Sequence, residues 1–225
     1  RPGGTDKPMT ADEKIAAAAA LAGQGEKDPA DVPQAPEGPD APPDTDTPPE
    51  TGTQTDTETD GGQDPYLTDP VPDGRPLPVE PQDAAVTDTA YTCTISISCV
   101  HILDHMDWLD QEKVELVPED GWLLEPVEVT FYEGESVFNV LQRTCKQNKI
   151  HMEFANTPMY NSAYIEGIGN LYEFDCGELS GWQYKVNEWF PNYGCSRYAL
   201  QDGDTICWEY TCDLGVDTGG YNAMD

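Results

Sequence analysis

The sequence predicts an α+β domain preceded by a long acidic tail, on three observations. Residues 1–89 contain 16 of the 20 prolines, one aromatic residue (Tyr66) and no cysteine. Residues 90–225 contain every cysteine, tryptophan and phenylalanine, and their 136 positions are enough for one core. In that second part, stretches of alternating apolar residues surround one stretch with helical periodicity. This order of elements favours a mixed sheet covered on one face by a single main helix.

Residues 1–89 are predicted to form a disordered stalk or linker. They are rich in Pro, Asp and Thr, and too poor in apolar side chains to offset their conformational entropy. The acidic run 51–60 repels itself and favours an extended chain. Thr10 and Glu13 have capping-box spacing, so a marginal Ala-rich helix is expected near 11–22. The segment either holds a domain away from a surface or is a spacer without a partner.

Alternating apolar and polar residues predict the long strands of the second part. The first is Thr92–Val100, in which the odd-numbered residues are apolar and the even-numbered residues up to Ser98 are Thr or Ser. A second strand places Val127, Val129 and Phe131 on its inner face. Gly181 opens a third strand, and the turn signal QDGD precedes a fourth over residues 205–212.

One helix is predicted between the strands, beginning after Ser136 as its N-cap. Its apolar stripe repeats every 3.6 residues and consists of Val137, Val140, Leu141, Thr144 and Cys145. Short extended segments follow at Ile150–Phe154, Ala163–Ile168 and Leu171–Phe174. Residues 215–225 are Gly-rich and are predicted to form a flexible end.

Seven cysteines between positions 93 and 212 indicate an oxidising compartment, so an extracellular or cell-surface location is expected. Cys207 lies on the strand face opposite Trp208, and we predict that it is the unpaired one. The other six are expected to form three disulfides of undetermined connectivity: Cys93, Cys99, Cys145, Cys176, Cys195 and Cys212. In a reducing compartment the same residues would be buried thiols.

Charge and motifs exclude several function classes. With 11 basic and 43 acidic residues the net charge is −32, which argues against nucleic acid and anionic membrane as partners. No apolar stretch is long enough to span a bilayer. His101 and His105 lack a third ligand, so no metal site is predicted. A nucleophile elbow, a phosphate loop and a dinucleotide fingerprint are also missing, so we expect a monomeric protein that is not an enzyme and has no cofactor.

Aromatic residues are concentrated in GWQYKVNEWFPNYGCSRY, where six rings occur within 17 positions. Such rings, interleaved with the amides of Gln183, Asn187 and Asn192, are typical of a concave site for a flat polar ligand. The alternative is that the rings pack in the core. A binding site would leave two or three of the six rings exposed, with Trp182, Trp189 and Tyr193 lining one open cleft.

The order VTFYEGESVFNVLQ, AYIEGIGNLYEFD, GWQYKVN and LQDGDTICWEYT resembles the transcobalamin-like C-terminal domain family, from about Thr92 to Leu214. The resemblance implies a small β-grasp-like α+β domain over residues 90–214. In the animal cobalamin carriers the matching strand and turn face the corrinoid. Carried over, the resemblance points to Trp182 and Gln183, with the turn Asn187–Tyr193 beside them. The predicted ligand-binding residues are therefore Trp182, Gln183, Tyr184, Asn187, Trp189, Phe190 and Tyr193. The family usually has Gly where this chain has Glu188, which costs backbone freedom unless the turn has shifted.

The function expected from these observations is ligand recognition by an exported module, with cobalamin or another corrinoid as the first candidate ligand. An alternative is a cell-surface interaction module that binds protein or glycan through the aromatic turn, with the resemblance meaning a shared fold alone. A third is a structural extracellular domain whose aromatic rings all belong to the core.

Overall fold

The computed structural model describes residues 65–66 and 68–220. The helix predicted near 11–22, the acidic run 51–60 and residues 221–225 lie outside the described residues. The described part contains one α-helix, two 3₁₀ turns (Val100–Asp104 and Gln111–Leu116) and seven strands. The elements are β1 (Ala90–Ser98), β2 (Trp122–Tyr132), α1 (Val137–Asn148), β3 (Met152–Thr157), β4 (Ser162–Ile168), β5 (Leu171–Tyr172), β6 (Gly181–Val186) and β7 (Thr205–Thr211).

The predicted α+β class, with a mixed sheet and one main helix, is confirmed, and a second sheet is added to it. The first sheet has the order β2-β1-β7-β6. Strand β1 pairs antiparallel with β2 and parallel with β7, and β6 pairs antiparallel with β7. The second sheet is antiparallel, in the order β3-β4-β5.

Helix α1 forms where its capping signal and apolar stripe predict. The Ser136 hydroxyl accepts a hydrogen bond from the Asn139 backbone N–H, and the Asn139 side chain accepts one from the Ser136 N–H. Its buried residues are the five predicted for the stripe. Lys149, with φ of 58°, ends the helix in the left-handed conformation. Within the described part of the chain, no helix is long and apolar enough to cross a membrane.

Two apolar clusters hold these elements together. The larger joins α1 to the first sheet through residues such as Ile95, Leu141 and Trp208. The smaller lies between the end of β7 and the loop before β6, and contains Tyr210 and Ile102. The even-numbered residues of β7 and Cys212, the residue directly after it, are buried, as their alternation predicts. Strand β6 lies at an edge of the first sheet, and the ring of its Trp182 packs against both clusters.

Strand β2 departs from the predicted pattern at a bulge. Ile95 pairs with Val127 and Ile97 with Leu124, so two residues, Glu125 and Pro126, lie opposite the single residue Ser96. Proline has no N–H to donate to a ladder, and bulges and prolines are tolerated at sheet edges. Val127, predicted to face inward, lies beside the bulge and is 38% exposed.

The seven cysteines all lie in the described part, and no two of their sulfurs are at bonding distance. The sulfurs of Cys176 and Cys212 come within 3.4 Å of each other in the smaller cluster. Burial raises the pKa of the Cys99 and Cys145 thiols to about 12. Cys207 is half-buried, with its sulfur 3.5 Å from a carboxylate oxygen of Glu209. The three expected disulfides stay a prediction.

Residues 65–66 and 68–80, hereafter the strap, lie against the domain. The Val79 N–H donates to the Arg197 carbonyl over 2.8 Å, and the Arg197 guanidinium pairs with Glu80 over 2.6 Å. Further along, Thr87 and Thr89 form backbone hydrogen bonds with Glu133. Sequence patterns did not anticipate these contacts, and those of Val79 and Glu80 with Arg197 join residues more than 100 positions apart.

Candidate ligand-binding cleft

Within the aromatic segment 181–198, a tight two-residue turn follows β6. Asn187 and Glu188 have φ of 51° and 61°, and the backbone groups of Val186 and Trp189 hydrogen-bond reciprocally over 2.8 and 3.0 Å. Positive φ at both central residues is typical of a type I′ turn, here between the end of β6 and Trp189, which forms an isolated bridge with Val186. Glu188 therefore occupies a central position of the turn, which has not shifted to another residue. The chain reverses its direction at Trp189.

Asn187 holds this turn against the one before β7. Its Nδ2 donates to Asp204 Oδ1 over 2.8 Å, and its Oδ1 accepts from the Thr205 N–H over 2.9 Å. Asp204 also accepts from the Gln201 N–H, so its carboxylate joins two turns. Asn187, which the resemblance placed among the ligand-binding residues, thus has a positioning role outside the cleft.

Four predicted residues line one open cavity of about 480 Å³: Gln183, Tyr184, Trp189 and Phe190. The rest of the lining consists of Pro72, Pro191, Asn192 and Gly220. We call this cavity the Trp189 cleft. Gly220 lies flat against the Phe190 ring, since a Cβ there would come within 2.9 Å of it. The cleft is therefore formed by the β6 edge, the aromatic turn, the strap and the last described residue.

Some of the polar groups that line the cleft already form hydrogen bonds within the protein. The Tyr184 hydroxyl donates to the Tyr193 carbonyl over 2.7 Å, and burial raises the pKa of Tyr184 well above its usual value. The Gln183 amide donates to Thr218, and the Asn192 amide donates to the Asp69 carbonyl over 2.9 Å. No described residue donates to the amide oxygens of Gln183 and Asn192, so the cleft offers them as acceptors.

Two cations lie beside its rings. The Arg75 guanidinium is 5.2 Å from the centre of the Trp189 ring, and Lys185 Nζ is 5.8 Å from that of Phe190. Lys185 also pairs with Glu209 over 3.0 Å and with Glu188 over 3.3 Å. Burial acts to lower the pKa of Lys185, but its carboxylate neighbours outweigh burial and raise it. The ammonium therefore stays charged at neutral pH.

The structure separates the three rings that were expected to share one cleft. The Trp182 indole N–H donates to the Leu171 carbonyl over 2.8 Å, and its ring packs edge-on against Tyr210 at 5.2 Å. Tyr193 is buried and lines a neighbouring cavity of about 290 Å³. Trp189 alone of these three lines the cleft named after it.

The expectation that two or three of the six rings would be exposed is wrong. Tyr184, Tyr193 and Tyr198 are buried, whereas Trp182, Trp189 and Phe190 are half-buried. Trp189 packs edge-on against Tyr193 at 6.0 Å, and Tyr193 stacks on Tyr198 at 6.2 Å. The buried rings support the half-buried ones, so core packing explains about half of the aromatic segment.

Sequence reasoning missed Pro72 and Arg75, because the strap was counted with the tail. A weak signal was present: Val71, Leu77 and Val79 make residues 68–80 more apolar than the run 51–60. Val71 packs against the larger cluster, as an apolar residue in a solvated linker would not. Thr218 and Gly220, at the flank of the cleft, also came from a segment predicted to be flexible.

A larger cavity of about 530 Å³ lies away from the predicted residues. It opens at the start of α1, between residues such as Phe138, Asn139 and Ser162. Its volume alone does not make it a better candidate, since the predicted rings and amides converge on the Trp189 cleft. In the described residues, no group of three or more His, Cys, Asp or Glu is placed to hold a metal ion.

A family described as a domain of unknown function (DUF4430) matches residues 134–212. These residues begin just before α1, end with β7 and include the aromatic turn, and they make up less than half of the chain. None of the curated proteins matches the chain.

Solved structures that match part of the chain include haptocorrin in complex with Cbi and a proposed metal-binding protein from Ruminococcus gnavus ATCC 29149. The match to haptocorrin has a TM-score of 0.42 at 13% identity, and covers 57% of this chain and 26% of that one. The second match has a TM-score of 0.33 at 12% identity, and covers 54% and 96%. Both TM-scores are below 0.5, so these similarities do not locate a binding site.

Proposed function

We propose that the domain of residues 90–214, together with Pro72 of the strap and Gly220 that complete the Trp189 cleft, is an exported, non-enzymatic ligand-recognition module whose site is that cleft. The observation that carries the proposal is the convergence of Gln183, Tyr184, Trp189 and Phe190 on one open cavity of about 480 Å³. Ligand sites commonly have volumes of about 300–1,000 Å³ and combine aromatic walls with a few fixed polar groups. The cleft has that size and that composition.

The lining suits a flat, polar small molecule. Half-buried Trp189 and Phe190 offer ring surface, and the oxygens of Gln183 and Asn192 offer acceptors for N–H or O–H groups. No carboxylate, imidazole or thiol is found among the described residues that line the cleft. This composition favours binding over acid–base or nucleophilic chemistry.

Cobalamin or a related corrinoid is the first candidate ligand, on the resemblance of the strand GWQYKVN and its turn to the cobalamin carriers. A corrin with its side chains is larger than the cleft, so this site would hold one edge of the molecule. The remaining surface would stay exposed, which predicts modest affinity.

Titration of the full chain with cobalamin tests the proposal, followed by equilibrium dialysis and by tryptophan fluorescence. Cobalamin should be retained and should quench the fluorescence, and Phe190→Ala or Gln183→Ala should each weaken binding about tenfold. Trp108→Ala is the matched control, because that indole is exposed and stacks on His105, outside the cleft lining. Absence of retention and of quenching at about 100 µM cobalamin would exclude it as the ligand. Trp182→Ala is unsuitable, since that ring packs against both clusters.

Recognition of a protein segment by the aromatic turn is the second candidate. Asn192 and Tyr193 already donate hydrogen bonds to backbone carbonyls of the strap, which is how a peptide would be held. No comparable contact favours a glycan over a peptide.

A further inference from the structure

The strap has the composition of a proline-rich ligand. Residues 65–80 contain five prolines, at positions 65, 70, 72, 76 and 78, and end in Glu80. Residues 68–80 form neither helix nor strand, apart from a turn in which the Arg75 N–H bonds to the Pro72 carbonyl. A chain so rich in proline has few N–H groups, so a partner can hold it mainly through its carbonyls.

The domain offers side-chain donors to those carbonyls. Asn192 Nδ2 donates to the Asp69 carbonyl over 2.9 Å and to that of Pro70 over 3.3 Å. The Tyr193 hydroxyl donates to the Pro76 carbonyl over 2.7 Å. Aromatic hydroxyls and amides aimed at carbonyls of a proline-rich chain are how peptide-binding domains read such segments.

Arg197 anchors both ends of the strap. Its side chain is 1% exposed. Its Nη2 and Nε lie 2.6 and 3.1 Å from Glu80 Oε1, and its Nη1 donates to Thr68 Oγ1 over 2.5 Å. The guanidinium is also 5.3 Å from the centre of the Tyr66 ring. A buried arginine without an acid partner would be costly, so the face is built to receive a carboxylate.

We propose that the face formed by Trp189, Asn192, Tyr193 and Arg197 is a recognition groove for proline-rich peptides that carry a carboxylate for Arg197. The strap is its occupant within the same chain. The groove takes an equivalent segment from another molecule when the strap is released. This inference deepens the protein-recognition candidate and rests on the strap contacts, not on cobalamin binding. Trp189 and Asn192 belong to both proposed sites, whereas Gln183 and Phe190 line the Trp189 cleft and are not part of the groove.

Competition by the strap is the central consequence. A tethered segment acts at an effective concentration on the order of millimolar, so the wild-type chain resists a free peptide. Glu80→Ala combined with Thr68→Ala removes the two described strap side chains that hydrogen-bond to the Arg197 guanidinium, and it changes no residue of the groove. Hydrogen exchange of the Val79 amide, which bonds to the Arg197 carbonyl, should become at least about tenfold faster in this double variant.

The test uses a fluorescent synthetic peptide of residues 65–80 and the full chain, followed by anisotropy. The double variant should bind the peptide at least about tenfold more tightly than the wild type does, because its own strap competes less. Adding Asn192→Ala or Tyr193→Phe to the double variant should weaken peptide binding about fivefold each. Tyr132→Phe is the control for loss of a phenol hydroxyl, on a ring that is 43% exposed on β2.

Three results would overturn the proposal. The first is a failure of the double variant to behave as expected. This failure is either no peptide binding while circular dichroism shows the variant folded, or hydrogen exchange of its Val79 amide at the wild-type rate. The second is binding that ignores Asn192→Ala and Tyr193→Phe. The third is equal binding of a peptide in which the five prolines are replaced by alanine, which would show that the groove does not recognise proline.

Discussion

Glu188 sits in a backbone conformation that side chains disfavour. Its φ of 61° is left-handed, and its side chain is 84% exposed beside Lys185. An exposed ion pair of this kind contributes little, typically less than about 1 kcal/mol. The reciprocal Val186–Trp189 hydrogen bonds and the contacts of Asn187 hold the turn in place in spite of Glu188. The turn held in this way is followed directly by Trp189, which lines the cleft.

Glu188→Gly should raise the free energy of unfolding by about 1 kcal/mol, since the left-handed conformation costs a non-glycine residue about 1–2 kcal/mol. Urea unfolding measures this change. Glu119→Gly removes an exposed glutamate where φ is not positive, and should bring no gain. A loss of stability in Glu188→Gly would show that the turn gains more from its glutamate than it loses in strain.

The buried carboxylate of Glu135 is expected to make the free energy of unfolding depend on pH. It is 8% exposed, and its Oε2 accepts from Arg143 Nη2 over 2.9 Å and from the Tyr132 N–H over 2.8 Å. Burial alone would raise the pKa of Glu135, but these donors outweigh burial and lower it. The stabilisation is therefore fully present above the ordinary pKa of about 4.5. It is lost as the pH falls through the lower folded value.

Glu135→Gln should flatten the decline in unfolding free energy between pH 5 and pH 3, measured by urea titration at each pH. Arg143→Met is the companion variant. It leaves a buried carboxyl without its cation, so this variant should become relatively more stable as the carboxyl is protonated. An unchanged acid profile in Glu135→Gln would contradict the role of the pair.

Among the elements, α1 depends most clearly on a local signal. The reciprocal Ser136–Asn139 hydrogen bonds satisfy N–H groups that would otherwise be unpaired at the start of the helix. Ser136→Ala should lower the free energy of unfolding by about 1 kcal/mol, seen by urea unfolding. Gln147→Ala changes an exposed residue of the same helix and should not destabilise the domain. Equal behaviour of the two variants would refute the capping role.

The loop before β6 and the end of β7 meet at Cys176 and Cys212. Their sulfurs are 3.4 Å apart, so oxidised glutathione should convert this pair to a disulfide first. After this oxidation, a thiol titration of the denatured protein should find five free thiols, because Cys176 and Cys212 are joined. The same titration after reduction should find all seven. The three bridges expected from composition would leave one thiol. Seven free thiols in the oxidised protein would contradict both the Cys176–Cys212 disulfide and the three disulfides expected from composition.

Local patterns in the sequence predicted α1, β1, β6 and β7, because each depends on periodicity or capping within a few residues. The strap could not be predicted in this way. Its anchor joins Glu80 to Arg197 across 117 positions, and such a contact leaves no local pattern. The cleft was predicted in part: the rings of Trp189 and Phe190 reach it, whereas Trp182 is held by the Leu171 carbonyl.

At the scale of the whole molecule, the proposed recognition site lies at the end of the domain where β6, the aromatic turn and the strap meet. The five indole N–H signals of the nitrogen-15-labelled chain test this assignment most directly, recorded with and without cobalamin. The account predicts that the Trp189 signal shifts or broadens, while those of Trp108 and Trp122 stay in place. Shifts at exposed Trp108, or none at Trp189 in the presence of bound cobalamin, would contradict it.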